Sequence, residues 1–373
     1  MKSKKAEGES ILTICRLVDI CYFYRPMKWR LIIIIFLVTL SGSFIINACR
    51  KGQVDVSGPT TLPFNIPTGF PTPLYDFSKN PLTEEGFQLG KMLFYDGRLS
   101  KDGNYPCASC HHQVAVFGTY DHDLSHGYND QHSDRNALPL FNLAWKDAFH
   151  ADGKFKSLED ECLDPIQAPN QMAEEIGSVL TKLRSDGHMR HMFKSAFGTE
   201  EITIERMQKA LAQFTVSMIT ANSKYDQVKK GTNVFTDYEE RGYQLYKTNC
   251  ASCHPEPMFT DYTYRNNGLS INPQLNDHGR KVVTGKSEDS LKFKVPSLRN
   301  VSITYPYMHD GRYQSLKACI EHYGNNIRQG PTLDPSLTNG LHFNSNEIID
   351  LVAFLRALTD STLTKDLRFY QSH

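Results

Sequence analysis

Ile204 to Ala221 carries Met207, Leu211, Phe214 and Met218 at three- and four-residue steps, the spacing of one buried face of a helix. Asn344 to Thr359 repeats that spacing with Ile348, Leu351, Phe354, Leu355 and Leu358, and Ser345 stands where a cap is needed. Both stripes read as core. Two shorter stretches resemble one another: Glu84-Glu85-Gly86-Phe87-Gln88-Leu89-Gly90 runs on to Cys107, and Glu239-Glu240-Arg241-Gly242-Tyr243-Gln244-Leu245-Tyr246 runs on to Cys250. Each predicts a short helix leading into Cys-Ala-Ser-Cys-His, with Phe117-Gly118-Thr119 and Phe259-Thr260-Asp261 at comparable distances beyond. No long alternation of apolar and polar positions marks a strand, so the expected fold class is mainly α, with long loops around two related units.

The chain has 373 residues, 40% of them hydrophobic and 11% aromatic, enough for about two globular domains. Lys plus Arg equals Asp plus Glu at 41 each, so no global field draws the chain to nucleic acid or to an anionic surface. Near the start, Met27-Lys28-Trp29-Arg30 supplies a positive n-region and Leu31 to Leu40 an apolar h-region, followed by Ile46-Asn47-Ala48-Cys49. That ending resembles a lipoprotein signal cleaved before Cys49; the alternative is an uncleaved anchor, and Met27 is a candidate translation start. Either way the rest of the chain is exported, and a periplasmic protein tethered to a membrane through Cys49 is expected. Lys51 to about Pro81 is rich in Pro, Gly and Thr and reads as a tether, with order beginning near Thr83. The expected division is a signal and lipid segment over 1–49, a linker over 50–82, and cytochrome-like domains over 83–232 and 233–373.

The domain reading rests on the cysteines. Nine are present: Cys15, Cys21, Cys49, Cys107, Cys110, Cys162, Cys250, Cys253 and Cys319. Two thiols three apart followed by His can add to the two haem vinyl groups while the imidazole ligates the iron from the same turn. A zinc site made from the two pairs is the alternative, but zinc ribbons space their pairs by roughly 15–20 residues and these lie about 140 apart. Two c haems are therefore expected, on Cys107, Cys110 and His111 and on Cys250, Cys253 and His254. Cys162 and Cys319 read as small buried residues, with a bridge between them left open.

The surrounding motifs resemble the bacterial diheme cytochrome c peroxidase family, which includes the MauG-like diheme enzymes. The resemblance covers roughly Thr83 to Asp360. It is carried by Gly90-Lys91-Met92-Leu93-Phe94-Tyr95-Asp96, by Arg135-Asn136 with Pro139 and Asn142, and by Asp152-Gly153 followed by Ser157-Leu158-Glu159. Ala210-Leu211-Ala212-Gln213-Phe214 and the runs Val295 to Val301 and Thr304 to Arg312 complete it. The resemblance implies that the N-terminal haem meets hydrogen peroxide while the C-terminal haem takes electrons from a small c-type cytochrome or a cupredoxin. It also implies a calcium ion between the domains, held by the Asn136 side chain and the carbonyls of Thr304 and Pro306; oxygen ligands suit that ion. Assembly as a homodimer is carried as an expectation.

The departures from the family pattern matter as much. Where the family has its distal Glu, just before a Met, this chain has Gln171 before Met172, and where the family has a distal Gln it has Glu161. The resemblance therefore makes Glu161 the acid/base and Gln171 its hydrogen-bonding partner, with Glu174 and Glu175 as nearby surface carboxylates. The family's Trp between the haems, just before Asp-Gly, is replaced by Ala151, and Trp145 is too early to align with it. Counting from His309 without gaps, the distal position of the C-terminal haem falls on Tyr323, as in MauG-like enzymes, with Met308 as rival. At the N-terminal haem, Ser125-His126-Gly127-Tyr128 resembles the segment that caps resting iron, making His126 a candidate distal ligand beside its rivals His122 and His132. His112 reads as a surface residue. Three functions stand: peroxide reduction, a MauG-like oxidation of a protein or peptide side chain, and non-catalytic electron carriage.

Overall fold

A computed structural model describes residues 58–371. The expected signal and lipid-attachment segment with Cys49 lies outside the described residues. Helices α1 (Glu84–Phe94), α2 (Leu158–Glu161), α3 (Asp164–Gln167), α4 (Ile176–Ser185), α5 (Gly187–Phe197) and α6 (Ile204–Val216) build the first half. After them come α7 (Lys224–Lys229), α8 (Asp237–Asn249), α9 (Lys281–Thr284), α10 (Leu316–Asn325), α11 (Ser345–Ala357) and α12 (Thr362–Lys365). The sheet is two residues wide on each side, β1 (Tyr264–Arg265) antiparallel to β2 (Phe293–Lys294) with Tyr264 opposite Lys294. The mainly helical, loop-rich class expected from the periodicity is what the chain adopts. Among the described residues no helix is long and apolar enough to cross a membrane.

One helix pair is used twice. The Thr83 hydroxyl accepts the Gly86 N–H at 3.0 Å to start α1, with Glu84 and Glu85 in the first turn where the helix dipole favours them. α1 then crosses α6 so closely that a Cβ on Gly90 would lie 1.9 Å from the Ala210 carbonyl oxygen. In the second half α8 crosses α11, and a Cβ on Gly242 would lie 2.0 Å from the Asp350 carbonyl oxygen. Only glycine lets two backbones approach this far. Phe94 and Phe214 close the first crossing with ring centroids 5.1 Å apart; Tyr246 and Phe354 close the second at 5.0 Å.

Four details depart from the sequence expectations. Residues 58–82 are no loose tether: Trp145 donates its indole N–H to the Pro71 carbonyl at 2.7 Å, and Phe64 and Phe70 pack on its ring. Aromatic anchors tie down a segment whose Pro, Gly and Thr content alone suggests freedom. The helix after Ile204 ends at Val216, where Ser217 turns its hydroxyl back to the Gln213 carbonyl at 2.7 Å. Helix α11 is capped by Asn344 rather than Ser345, with Glu347 completing a reciprocal capping box. Finally, the C-terminal stretch returns to the first unit: Leu363 and Phe369 sit in its core, and Lys91 and Tyr95 bond the carbonyls of Arg368 and Phe369 at 2.8 and 2.7 Å. The two cytochrome units are therefore not simple consecutive stretches of chain.

Candidate functional site: two haem-attachment centres

Each Cys-Ala-Ser-Cys-His motif is wound into a single turn. The His111 N–H donates to the Cys107 carbonyl at 3.0 Å, and the His254 N–H to the Cys250 carbonyl at 2.9 Å. This turn puts both thiols and the imidazole on one side, as thioether attachment with proximal ligation requires. His111 Nδ1 bonds the Phe117 carbonyl at 2.8 Å, while His254 Nδ1 meets the carbonyls of Phe259 at 3.1 Å and Pro296 at 3.0 Å. Phe117 and Phe259 both hold positive φ, 61° and 55°, which turns those carbonyls onto the rings. A carbonyl on Nδ1 fixes the tautomer and leaves Nε2 free to ligate a metal. Burial pushes both imidazoles below their ordinary range, so each is presented neutral. All four thiols are free, and so are Cys162 and Cys319, which leaves no bridge between the latter two. Among the described residues no three His, Cys, Asp or Glu side chains are placed to share a metal ion, which argues against the zinc alternative. Thiols, free Nε2 atoms and the aromatic cores beside them fit covalently bound haem.

Around the first centre stands a carboxylate. Glu161 closes α2, and its charge bears on Cys107, His111 and Cys162. His150 Nε2 lies 3.3 Å from Glu161 Oε1, and the His150 backbone is left-handed at φ 63°. Gln171 is anchored by its backbone: its carbonyl accepts the Tyr128 N–H at 2.6 Å, and a Cβ on Gly127 would lie 2.6 Å from the Gln171 Cα. The structure thus seats the His126-Gly127-Tyr128 loop directly on Gln171. His126 itself is 42% exposed, with Nδ1 2.7 Å from the Asp130 carboxylate and its ring beside those of His122 and His132. It opens with His122 on a cavity of about 320 Å3 that also touches Ser109 and His112. Glu174 is paired with Lys182, and Glu175 is exposed at the start of α4, so neither turns to the haem centre.

Around the second centre stand a phenol and a thioether. Tyr323 on α10 is half-buried, and burial pushes its hydroxyl up to about 12, with the Asn267 amide pulling the other way and the Cys250 and Cys253 thiols within reach of its charge. The same Asn267 amide donates to Met308 Sδ at 3.5 Å. Asn267 is fixed in turn, since its carbonyl bonds His322 Nε2 at 3.0 Å. Tyr323 and Met308 therefore converge on one side chain.

The two halves meet at charged contacts. Arg135 bonds Asp277 twice, at 2.6 and 2.9 Å, and Asp152 at 2.6 Å. Burial pushes the Asp277 carboxyl up, but the Arg135 hydrogen bonds and charge outweigh it and hold the group below its usual range. The Asn136 N–H donates to the His309 carbonyl at 2.8 Å, and its side-chain amide donates to the Asp123 carbonyl at 2.9 Å. Ala151 gives its carbonyl to the Lys294 N–H at 2.6 Å.

Sequence reasoning passed over His150 and Asn267. His150 left one signal, its place two residues before Asp152-Gly153. Asn267 left none, because its role comes from what the fold packs around it.

Residues 84–234 match the family model described as di-haem cytochrome c peroxidase, and residues 239–359 match the cytochrome c model. A cytochrome c551 peroxidase of Nitrosomonas europaea is 36% identical over 279 residues, spanning 73% of this chain and 79% of the relative. The methylamine utilization protein MauG of Methylorubrum extorquens is 34% identical over 337 residues, spanning 86% and 92%. Among solved structures, a MauG-like protein associated with microbial copper homeostasis superposes with a TM-score of 0.76 at 30% identity, over 83% of this chain and 99% of the other. With two haem-attachment centres on paired cytochrome folds and relatives of this similarity, the chain belongs to the di-haem cytochrome c peroxidase family, of which MauG is a member.

Proposed function

We propose that this chain reduces hydrogen peroxide to water at the Cys107–Cys110 centre and draws two electrons through the Cys250–Cys253 centre from a small c-type cytochrome or cupredoxin. The observation that carries this is Glu161, a carboxylate whose charge reaches Cys107 and His111. Bound haem supplies redox-active iron with a position for peroxide. Reduction of one peroxide to two waters consumes two electrons and two protons, so a group must move protons between the peroxide oxygens. Glu161 can do this, because His150 at 3.3 Å offers a partner that orients the carboxylate and exchanges its proton. Gln171, whose backbone carbonyl accepts the Tyr128 N–H, is the hydrogen-bonding partner in this reading, an uncharged amide that adds no charge to repel the Glu161 carboxylate. The same reading takes the protein to be exported and lipid-anchored through Cys49, with calcium on Asn136, Thr304 and Pro306.

The test is peroxide-dependent oxidation of a reduced small cytochrome c. Glu161→Gln should lower kcat/KM by about 100- to 10,000-fold, the usual worth of a positioned acid/base group. Unchanged turnover at unchanged haem content would remove Glu161 from the reaction.

Tyr323 favours a second reading, a MauG-like oxidation of a protein or peptide side chain, since the charges of Cys250 and Cys253 reach its half-buried phenol. Magnetic circular dichroism of the oxidised protein separates the ligands: a methionine-to-iron band assigns Met308, and its absence together with a spectrum altered by Tyr323→Phe assigns Tyr323.

A further inference from the structure

Two tyrosines from different halves of the chain face each other near the surface. Tyr120 follows the first attachment turn and Tyr305 belongs to the run Thr304 to Arg312; their ring centroids lie 6.0 Å apart at a tilt of 57°. Tyr120 is 43% exposed, so the pair is open to solvent. A hydrogen bond with Tyr120 pushes the Tyr305 hydroxyl above its ordinary range, which shows that the phenol ends of the two rings are the parts that meet.

The backbone holds the pair in place. A Cβ on Gly311 would lie 2.6 Å from the Asp123 Cα, so the loop after Tyr120 is pressed against the segment after Tyr305. Asn136 ties the same two stretches, its N–H on the His309 carbonyl at 2.8 Å and its side-chain amide on the Asp123 carbonyl at 2.9 Å. Reacting groups fixed beside one another are spared the entropy of an encounter. Tyr120 also reaches the first centre. It lines the cavity of about 320 Å3 whose wall includes Ser109, within the Cys107–Cys110 turn, and its ring centroid lies 6.3 Å from that of His112. Another close pair, Tyr225 and Tyr243 with centroids 6.4 Å apart, is engaged otherwise: both belong to the core around the second centre and both donate to the Glu256 carboxylate, at 2.5 and 2.7 Å.

We propose that Tyr120 and Tyr305 are a modification site, joined by peroxide into a dityrosine that staples the two cytochrome units. Each phenol loses one electron and one proton, a bond forms between the ring carbons beside the two hydroxyls, and the hydrogens on those carbons pass to the oxygens to restore the phenols. The two electrons and two protons released reduce one hydrogen peroxide to two waters, so peroxide is the only oxidant the step needs. The inference rests on the reading that peroxide reacts at the Cys107–Cys110 centre: a reduced cytochrome spares the tyrosines by supplying the electrons, and without it the tyrosines supply them.

The experiment treats the full chain with both haems attached with hydrogen peroxide, in the presence and absence of reduced cytochrome c, and searches its digest for linked peptides by mass spectrometry. Without cytochrome, the peptides carrying Tyr120 and Tyr305 should appear as one species lighter than their sum by two hydrogens, together with dityrosine fluorescence; excess reduced cytochrome should suppress both signals. Tyr305→Phe should abolish the linked species and leave turnover with cytochrome unchanged. Peroxide consumed without this link, or links only between other tyrosines, would overturn the staple while the peroxidase reading stands. A protein with both haems that is inert to peroxide would overturn the two together.

Discussion

In both cytochrome units a helix meets its partner at a glycine, runs into Cys-Ala-Ser-Cys-His, and is followed by a phenylalanine whose carbonyl receives the proximal imidazole. What surrounds the two turns is different. The first is faced by Glu161 backed by His150, groups that carry protons. The second is faced by Tyr323 and Met308 gathered on Asn267, side chains of the kinds that can ligate iron and tune its potential. A duplicated scaffold has kept its attachment chemistry in both copies, and the differences between them lie in loops and short helices outside the shared helix pair.

The comparison breaks most visibly at Glu161. Its replacement by Gln should cost the first centre 100- to 10,000-fold in turnover, roughly the range of positioned acid/base groups, and leave the absorption of the second haem in place. The shared scaffold can be tested with Gly90→Ala and Gly242→Ala. Each forces a Cβ against a carbonyl within 2.0 Å, so each should lower stability by about 1–3 kcal/mol as overpacked contacts do. Equal losses in urea denaturation would show that the two crossings are equivalent, and a large loss at one only would show that they are not. His150→Gln removes a charged neighbour of Glu161 and should slow peroxide turnover by up to about fivefold, the worth of one partly exposed ion-pair contact; no change in rate would detach His150 from the site.

The smallest effect concerns the contact between the units. Asp277 is held below its usual range by Arg135, so its contribution is fully present above the unfolded value, near 3.9, and is lost as pH falls through the lower folded value. Asp277→Asn should therefore be less stable than the unsubstituted protein at pH 7, with the gap narrowing as pH falls below the ordinary Asp range towards the lower folded value. A gap that did not narrow at all as the pH falls would show that the loss is one of packing rather than charge.

Much of this was legible in the sequence. The spacing of Met207, Leu211 and Phe214, and of Leu351, Phe354 and Leu355, gave the second helix of each crossing, because a buried stripe must recur every three or four residues. The Cys-Ala-Ser-Cys-His turns were legible because their chemistry is local to five residues. The strap over 58–82 was not, since Phe64 and Phe70 look like isolated aromatics until Trp145 is brought beneath them from far along the chain. The cap at α11 was misassigned by one residue because Asn344 and Ser345 both favour capping, and only the reciprocal bond to Glu347 decides between them.

The central claim is that the first centre meets peroxide and the second feeds it. Stopped-flow mixing of the fully reduced protein with hydrogen peroxide, with and without reduced cytochrome c, follows both haems by their absorption. The account predicts oxidation at the N-terminal haem in the first phase, slowed in Glu161→Gln, followed by oxidation of the C-terminal haem and sustained turnover once reduced cytochrome is supplied. First-phase oxidation at the C-terminal haem, or two haems inert to peroxide, would contradict it.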